Sequence, residues 1–431
     1  MTKKISLTIL KNHKVFNTII FLVLMNFAVG NFIHFFCELF FELGNLAKIL
    51  ISDYKIFSFL VLPVLLWIST LCCRIFAKNA SGSNLDHITQ AIFILKKNPE
   101  DFKNINHLLS IRIAIVAIIS SLIATFAGGS LGREGISIFI AVSFFVNVGY
   151  FFRNYLIKIA LETWIYLGYA VGFAIAFLSP ISAMVYICEK LFKNKSKNYL
   201  STIIICCSSL LMIAIAVKNF PAVYHVENIN SDINFSEYIS LIYLVMLCAL
   251  MVYIFRSSLN FFFKKINSIQ GIKWHLIVLT LALTLIIIAE ILGIFVIGGG
   301  IKTVNQAFAN QNQLIYPEDF IGRFITTIIT FVIGCAGGTV APSIAMGAGL
   351  GSSLSGFFSS DIHFIMLVAM IGFLSPLLAT PVTSAFVIIE STRLDFGLFI
   401  IFLPLSLIAF GTYWFLVFFE KKLLLVKKNN Q

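Results

Sequence analysis

A charged pair inside an otherwise charge-free stretch is the first feature of the sequence that could do chemistry. Residues 127–136 read AGGSLGREGI, and Arg133 and Glu134 are the only charged residues between positions 113 and 152. A charge at the centre of a bilayer costs about 2.5–3.5 kcal/mol on insertion scales, so such residues are usually paired or functional. Taken alone, the pair fits either a structural ion pair near a membrane face or a functional carboxylate.

Glycines surround this pair, and a helix is predicted to begin directly after it. Glycine lets backbone N–H groups approach a ligand closely, and the first turn of a helix leaves N–H groups unpaired at its positive end. Such a helix start can bind an anion. Glu134 could occupy the site as a tethered anion, blocking the path when ionised and opening it when protonated. Residues 336–342 read AGGTVAP, so a second helix start of this type could converge on the same ion.

The composition places these residues in a membrane. Of the 431 residues, 59% are hydrophobic and only 12% are charged, against about 25% charged in soluble domains. The net charge of +12 comes largely from lysines clustered outside the apolar runs, which predicts short basic cytoplasmic termini and argues against nucleic-acid binding. No polar linker divides the chain, so we predict one transmembrane domain over residues 1–431. The eight cysteines are interpreted as packed small side chains, and no metal or cofactor is expected.

Two apolar runs carry information about how the chain crosses the bilayer. Residues 15–37 follow a basic start and imitate a signal peptide, but the run is too long for a signal core and lacks a clear cleavage site. We therefore predict a first membrane helix. Residues 324–360 contain no charge and have glycines and a proline in their middle. This run is too long for one span, which predicts a helix, a break and a second helix.

Three pieces of the first half recur in the same order in the second half. Residues 82–92 (GSNLDHITQAI) match 298–308 (GGGIKTVNQAF), AGGSL at 127 matches AGGTV at 336, and SPISAMVYICE at 179 matches TPVTSAFVIIE at 380. We predict two repeats, at about residues 15–198 and 199–420, and the lysine clusters suggest that they insert in opposite directions. Paired broken helices at matching points of two halves are typical of a transporter binding site.

These motifs carry a family resemblance. GREG followed by an apolar helix, then GGGxxxxxQA, then GGTVAPSIAMGAGLG, resembles the CLC family of chloride channels and chloride/proton exchangers over about residues 80–420. The resemblance implies an all-α, inverted-repeat membrane fold with broken and re-entrant helices. It also implies a homodimer with one pore per subunit, chloride or a similar small anion as substrate, protons as a possible second substrate, and the lipid bilayer of a bacterial inner membrane as the location.

The resemblance also implies the roles of individual residues. Glu134 matches the family's gating glutamate. Ser83 aligns with its anion-binding serine if GSNLD matches the family's GSGIP, and a simple helix-cap serine is the alternative. Tyr413 is the candidate for its inner tyrosine, against an interfacial aromatic anchor. The implied anion-binding residues are Ser83, Gly132, Arg133, Gly135, Ile136, Val340, Ala341 and Tyr413.

The chain departs from the family pattern at several of these positions. Ile136 replaces the usual proline and Val340 the usual phenylalanine. Lys190, next to Glu189, falls where exchangers often place a second, inner glutamate. The departures leave open a fluoride/proton antiporter of the same family, as well as the choice between a channel and a coupled exchanger.

Two other classes of protein remain as alternatives. Residues 128–132 spell G-x-S-x-G, the pattern of a hydrolase nucleophile elbow, which would suggest an intramembrane serine hydrolase. That chemistry needs a base within hydrogen-bond reach of the serine, and no histidine lies in an apolar break. An unrelated inverted-repeat transporter would want ionisable residues along several spans, and few are present. We therefore expect a transport protein and not an enzyme.

Overall fold

The architecture is helical throughout the part of the chain that can be described. The computed structural model describes residues 2–194, 199–218, 220–226, 229, 234–309 and 314–429. Its regular elements within these ranges are α-helices with short 3₁₀ turns between them, which confirms the predicted fold class. The helices are α1 Thr2–Asp53, α2 Lys55–Phe76, α3 Leu85–Lys97, α4 Phe102–Leu109, α5 Ile111–Phe126, α6 Glu134–Phe151, α7 Leu161–Phe177, α8 Pro180–Asn194, α9 Tyr199–Val217, α10 Phe235–Asn267, α11 Ile272–Leu292, α12 Ile301–Ala309, α13 Pro317–Val332, α14 Val340–Leu354, α15 Ile362–Leu378, α16 Pro381–Thr392 and α17 Phe399–Asn429.

Many of these helices are suited to a bilayer. Among the described residues, eight are long and apolar enough to cross a membrane, as a multi-pass membrane protein requires. The apolar run predicted at 15–37 is part of the much longer α1. Of the basic terminal residues, the side chains of Lys3, Lys4, Lys11, Lys427 and Lys428 lie outside the described part, as do residues 195–198 at the predicted boundary between the repeats.

Two membrane helices are broken where the glycines lie. α5 ends at Phe126 and α6 begins at Glu134, while α13 ends at Val332 and α14 begins at Val340. The helix-break-helix prediction for residues 324–360 is therefore confirmed. Gly128 and Gly334 have φ of +80° and +103° within the two breaks, a conformation that L side chains rarely adopt.

Helices α8 and α16 contact one another through a reciprocal pair of carboxylates. Glu390 of α16 accepts hydrogen bonds from the Ser182 amide (2.7 Å) and hydroxyl (2.6 Å) at the start of α8. Glu189 of α8 accepts from the Thr383 amide (3.0 Å) and hydroxyl (2.8 Å) at the start of α16. A carboxylate at a helix start satisfies unpaired N–H groups and complements the helix dipole. These two matched segments therefore stabilise each other's helix starts.

Candidate anion-binding site

Four glycine-rich loops meet near the middle of the fold and are joined by backbone hydrogen bonds. The Gly132 amide donates to the Gly338 carbonyl and the Gly338 amide donates back to the Gly132 carbonyl, both at 2.7 Å. The Gly82 amide donates to the Cys335 carbonyl, and the Gly82 carbonyl accepts from the Gly337 amide, both at 3.0 Å. The Gly298 amide donates to the Gly129 carbonyl at 3.1 Å. The breaks of the two halves are thus in direct contact.

The close approach of these loops depends on the absence of side chains. A Cβ added at Gly338 would lie 2.8 Å from the Gly135 nitrogen and 3.0 Å from the Gly132 carbonyl oxygen. A Cβ at Gly135 would lie 3.1 Å from the Gly338 Cα and from the Ser83 carbonyl oxygen. Backbone atoms tied by hydrogen bonds on both sides have little freedom to move away. The GREG and GGTV motifs are therefore required by packing as well as by the local turn.

The starts of α6 and α14 lie next to each other as a result. Their N-cap residues, Arg133 and Thr339, make no side-chain capping hydrogen bond, so the first N–H groups of both helices receive no cap from these side chains. Each helix start carries about half a positive charge. Two such ends side by side make this the most favourable place in the site for a negative charge.

Glu134 places its carboxylate at this point. The residue is 2% exposed, and its Oε2 atom has no hydrogen-bond partner among the described residues. A Cβ placed on Gly132 would lie 3.3 Å from the backbone nitrogen of Ala341, near the start of α14. A Cβ added at Gly132 would contact both Oε2 and the Ala341 Cβ. The carboxylate of one half therefore lies against the helix start of the other half.

Arg133 does not form a close ion pair with Glu134. Among the described residues the salt bridges within 4 Å do not include this pair. The guanidinium instead donates to the Cys37 carbonyl at 3.4 Å, and its buried Nε atom has no partner in the described part of the chain. The geometry favours a cation that faces the site over the structural ion pair left open by the sequence.

A small cavity opens onto Glu134 from the side of α1 and α12. Its volume is about 60 Å³, enough for a few atoms, since a water needs about 10–15 Å³ of such space. Gly132, Glu134 and Ala341 line it, together with the 298–300 loop. Three cationic side chains also line it, Lys48, Arg133 and Lys302. A cavity lined in this way attracts anions.

A larger cavity of about 580 Å³ approaches the same loops from another direction. Ser83 and Thr339 line it, together with polar side chains of α2, α3 and α10. Thr339 and Ala341 are separated by one residue, yet they line different cavities. Glu134 and the helix starts therefore lie between two cavities, which we name the outer cavity (lined by Glu134) and the inner cavity (lined by Ser83).

The predicted site residues fall into three groups. Gly132, Arg133, Glu134 and Ala341 line the outer cavity, and Ser83 lines the inner cavity. The second group is buried at the helix starts and consists of Gly135, Ile136 and Val340. Tyr413 alone forms the third group. It lies on α17, and its hydroxyl accepts a hydrogen bond from Arg256 at 3.2 Å. Tyr413 is not among the residues that line either cavity.

Two residues near the site were not predicted. Arg323 of α13 is 3% exposed and donates to the carbonyls of Gly298 (2.8 Å) and Ile297 (3.3 Å), which holds the loop that lines the outer cavity. Tyr224 is 2% exposed, and its amide donates to the Ser391 carbonyl at 3.1 Å. Neither residue sits in a recognisable motif, and only the buried arginine in an apolar run offered a signal.

The spanning helices, together with the two broken helices that meet between two cavities, define a polytopic α-helical membrane protein with a broken-helix core. The family follows from sequence. The model of the voltage gated chloride channel family matches residues 64–415, which is most of the chain, and the protein therefore belongs to that family.

Comparisons with individual proteins agree with this assignment. The chain is 24% identical over 292 residues to the voltage-gated ClC-type chloride channel ClcB of Escherichia coli, a match that covers 65% of this chain and 68% of ClcB. A CLC-type fluoride/proton antiporter has a similar fold, with a TM-score of 0.74, 19% identity, and coverage of 90% of this chain and 93% of that one. A slow cyanobacterial Cl⁻/H⁺ antiporter is comparably similar, with a TM-score of 0.72, 19% identity and coverage of 93% and 94%.

Proposed function

We propose that this protein carries a small anion, chloride in the first place, across the membrane past Glu134, as a channel or an anion/proton antiporter. The observation that carries the proposal is the buried Glu134 carboxylate, with one oxygen lacking a hydrogen-bond partner among the described residues, set against the start of α14. A carboxylate in that position takes the place that a permeating anion would need. Family membership supports the same substrate class.

The mechanism follows from electrostatics. An anion entering the outer cavity gives up part of its hydration, and the N–H groups at the starts of α6 and α14 replace it. Lys48, Arg133 and Lys302 raise the local anion concentration. An ionised Glu134 competes with the anion for the same N–H groups. Protonation removes the charge and weakens its hold, so the anion passes to the inner cavity beside Ser83.

Fluoride is the second candidate anion. The specific observation in its favour is the similarity of fold to a CLC-type fluoride/proton antiporter, together with Val340 and Ile136 at the two helix starts, where the chain departs from the family pattern. A coupled proton would need a route without an inner glutamate at position 190. Lys190 stands there, and its ammonium donates to the Leu378 carbonyl at 3.2 Å. From family membership we also propose that the protein is a homodimer and lies in the bacterial inner membrane.

Flux through reconstituted protein tests the proposal. Purified protein in liposomes is loaded with chloride, fluoride or nitrate, and anion efflux and proton movement are recorded together between pH 4.5 and 7.5. Wild type should show anion flux that changes with pH. Glu134→Gln and Glu134→Ala should keep anion flux and lose its dependence on pH and any coupled proton movement.

A matched control distinguishes this gate from a general effect of charge. Glu38 lies on α1, where its side chain is 65% exposed, so Glu38→Gln should behave as wild type. The proposal fails if no anion moves through the wild-type protein. It also fails if both Glu134 variants keep the wild-type pH response.

A further inference from the structure

A second large cavity lies at one end of the bundle, away from the glycine loops. Its volume is about 780 Å³, and it is bounded by the N-terminal part of α1, the segment 149–161 between α6 and α7, and residues 99–100. The Ile157 amide donates to the Thr18 hydroxyl at 3.0 Å, and the Phe21 and Phe152 rings are 5.6 Å apart. These contacts fix the 149–161 segment against α1, so the cavity is a built feature of the fold.

The ionisable groups that line this cavity are mostly basic. They are Lys14, Arg153, Lys158 and the single carboxylate Glu100. Lys158 is paired with Glu100 at 3.1 Å, while the ion pairs found among the described residues do not include Lys14 or Arg153. The Arg153 guanidinium lies 3.8 Å above the Tyr150 ring, which orients it. The Arg153 guanidinium also donates to the Tyr150 carbonyl at 3.2 Å. Among the described residues, Lys14 and Arg153 are therefore the cations of this cavity without a carboxylate partner.

Apolar side chains flank both available cations on the surface. Val15 and Phe16, which follow Lys14, are exposed. Phe151 and Phe152, which precede Arg153, are exposed as well. Exposed aromatic and aliphatic groups of a membrane protein face acyl chains. The cavity thus offers cations inside and a hydrocarbon surface beside them, and Lys14 belongs to the basic N-terminal segment predicted to be cytoplasmic.

We infer that this cavity binds the phosphate headgroup of an anionic phospholipid, with the headgroup between Lys14 and Arg153 and the acyl chains along the exposed side chains beside them. Basic pockets between membrane helices on the cytoplasmic side are suited to anionic headgroups. A free phosphate would satisfy the two cations but would leave the apolar flank unused. The inference concerns a surface separate from Glu134 and holds whichever anion the protein carries.

Displacement of a dye-labelled phosphatidylglycerol from the purified full-length protein tests the inference. Unlabelled phosphatidylglycerol should displace the probe, whereas phosphatidylcholine and millimolar inorganic phosphate should not. The double variant Lys14→Gln/Arg153→Gln should bind the probe about 30-fold more weakly, because each basic residue near an anionic headgroup contributes roughly a factor of five. Both side chains are exposed, so the variant should fold.

The control variant is Lys264→Gln/Lys265→Gln, which removes two lysines at the end of α10 outside this cavity and should bind the probe as wild type does. Equal loss of binding in both double variants would show general attraction to basic charge and overturn the inference. So would wild-type binding by the Lys14/Arg153 variant, or equal displacement by phosphatidylcholine. Displacement by inorganic phosphate at the same concentration as the lipid would overturn the assignment to a lipid.

Discussion

The contact between Gly132 and Gly338 makes a quantitative prediction for Gly338→Ala. The added methyl group would sit 2.8 Å from the Gly135 nitrogen and 3.0 Å from the Gly132 oxygen, closer than side-chain carbons normally approach backbone atoms. Overpacking of this kind costs about 1–3 kcal/mol, and disturbing the two 2.7 Å hydrogen bonds costs about 1 kcal/mol each. We therefore expect the free energy of unfolding to fall by about 3–5 kcal/mol.

Function should suffer as well, because the start of α14 must move to make room for the methyl group. Anion flux in liposomes and the unfolding midpoint in denaturant, followed by tryptophan fluorescence, measure the two effects. Gly356→Ala is the matched control, since a Cβ there meets nothing within 4 Å. Gly135→Ala, with contacts of 3.1 Å, should fall between the two. Wild-type stability and flux for Gly338→Ala would refute the bridge between the halves.

Two further substitutions follow from other contacts. Glu390→Ala leaves two amides and the Ser182 hydroxyl of α8 without their acceptor, and at about 1 kcal/mol or more for each unsatisfied group it should lower the free energy of unfolding by about 3 kcal/mol. Glu390→Gln, which keeps an acceptor oxygen, should lose less, and equal losses in denaturant titrations would contradict this account. Arg323→Met should release the Gly298 loop and reduce anion flux several-fold while leaving the sign of the pH response unchanged; unaltered flux would show that the loop is held by other contacts.

The sequence was most informative where chemistry and backbone geometry coincide. Glycines in the middle of a long apolar run predict a break, and the breaks at 127–133 and 333–339 are found where the motifs predicted them. The contact between the breaks was inferred from their duplication and could not be derived from either alone. Broken helices, unlike soluble loops, have few ways to satisfy their backbone groups inside a bilayer.

The sequence was least informative where a role depends on a distant partner. The family resemblance made Tyr413 the candidate for the inner tyrosine; in the structure its hydroxyl accepts a hydrogen bond from Arg256, more than 150 positions earlier. The roles of Glu189 and Glu390 depend on helix starts about 190–210 positions away, and one sequence does not reveal such pairings. Hydrophobic periodicity is also uninformative here, because lipid-facing and buried positions are both apolar.

The reciprocal bonds between Gly132 and Gly338 also bear on how the path can open. Each half supplies both a donor and an acceptor at the junction, so drawing the halves apart would break both bonds at once, at about 1 kcal/mol for each bond. A rotation of one side chain out of the space between the helix starts involves no such loss. Under the proposed function, the protein would therefore switch between blocked and conducting forms through movement of the Glu134 side chain, while the surrounding helices keep their positions.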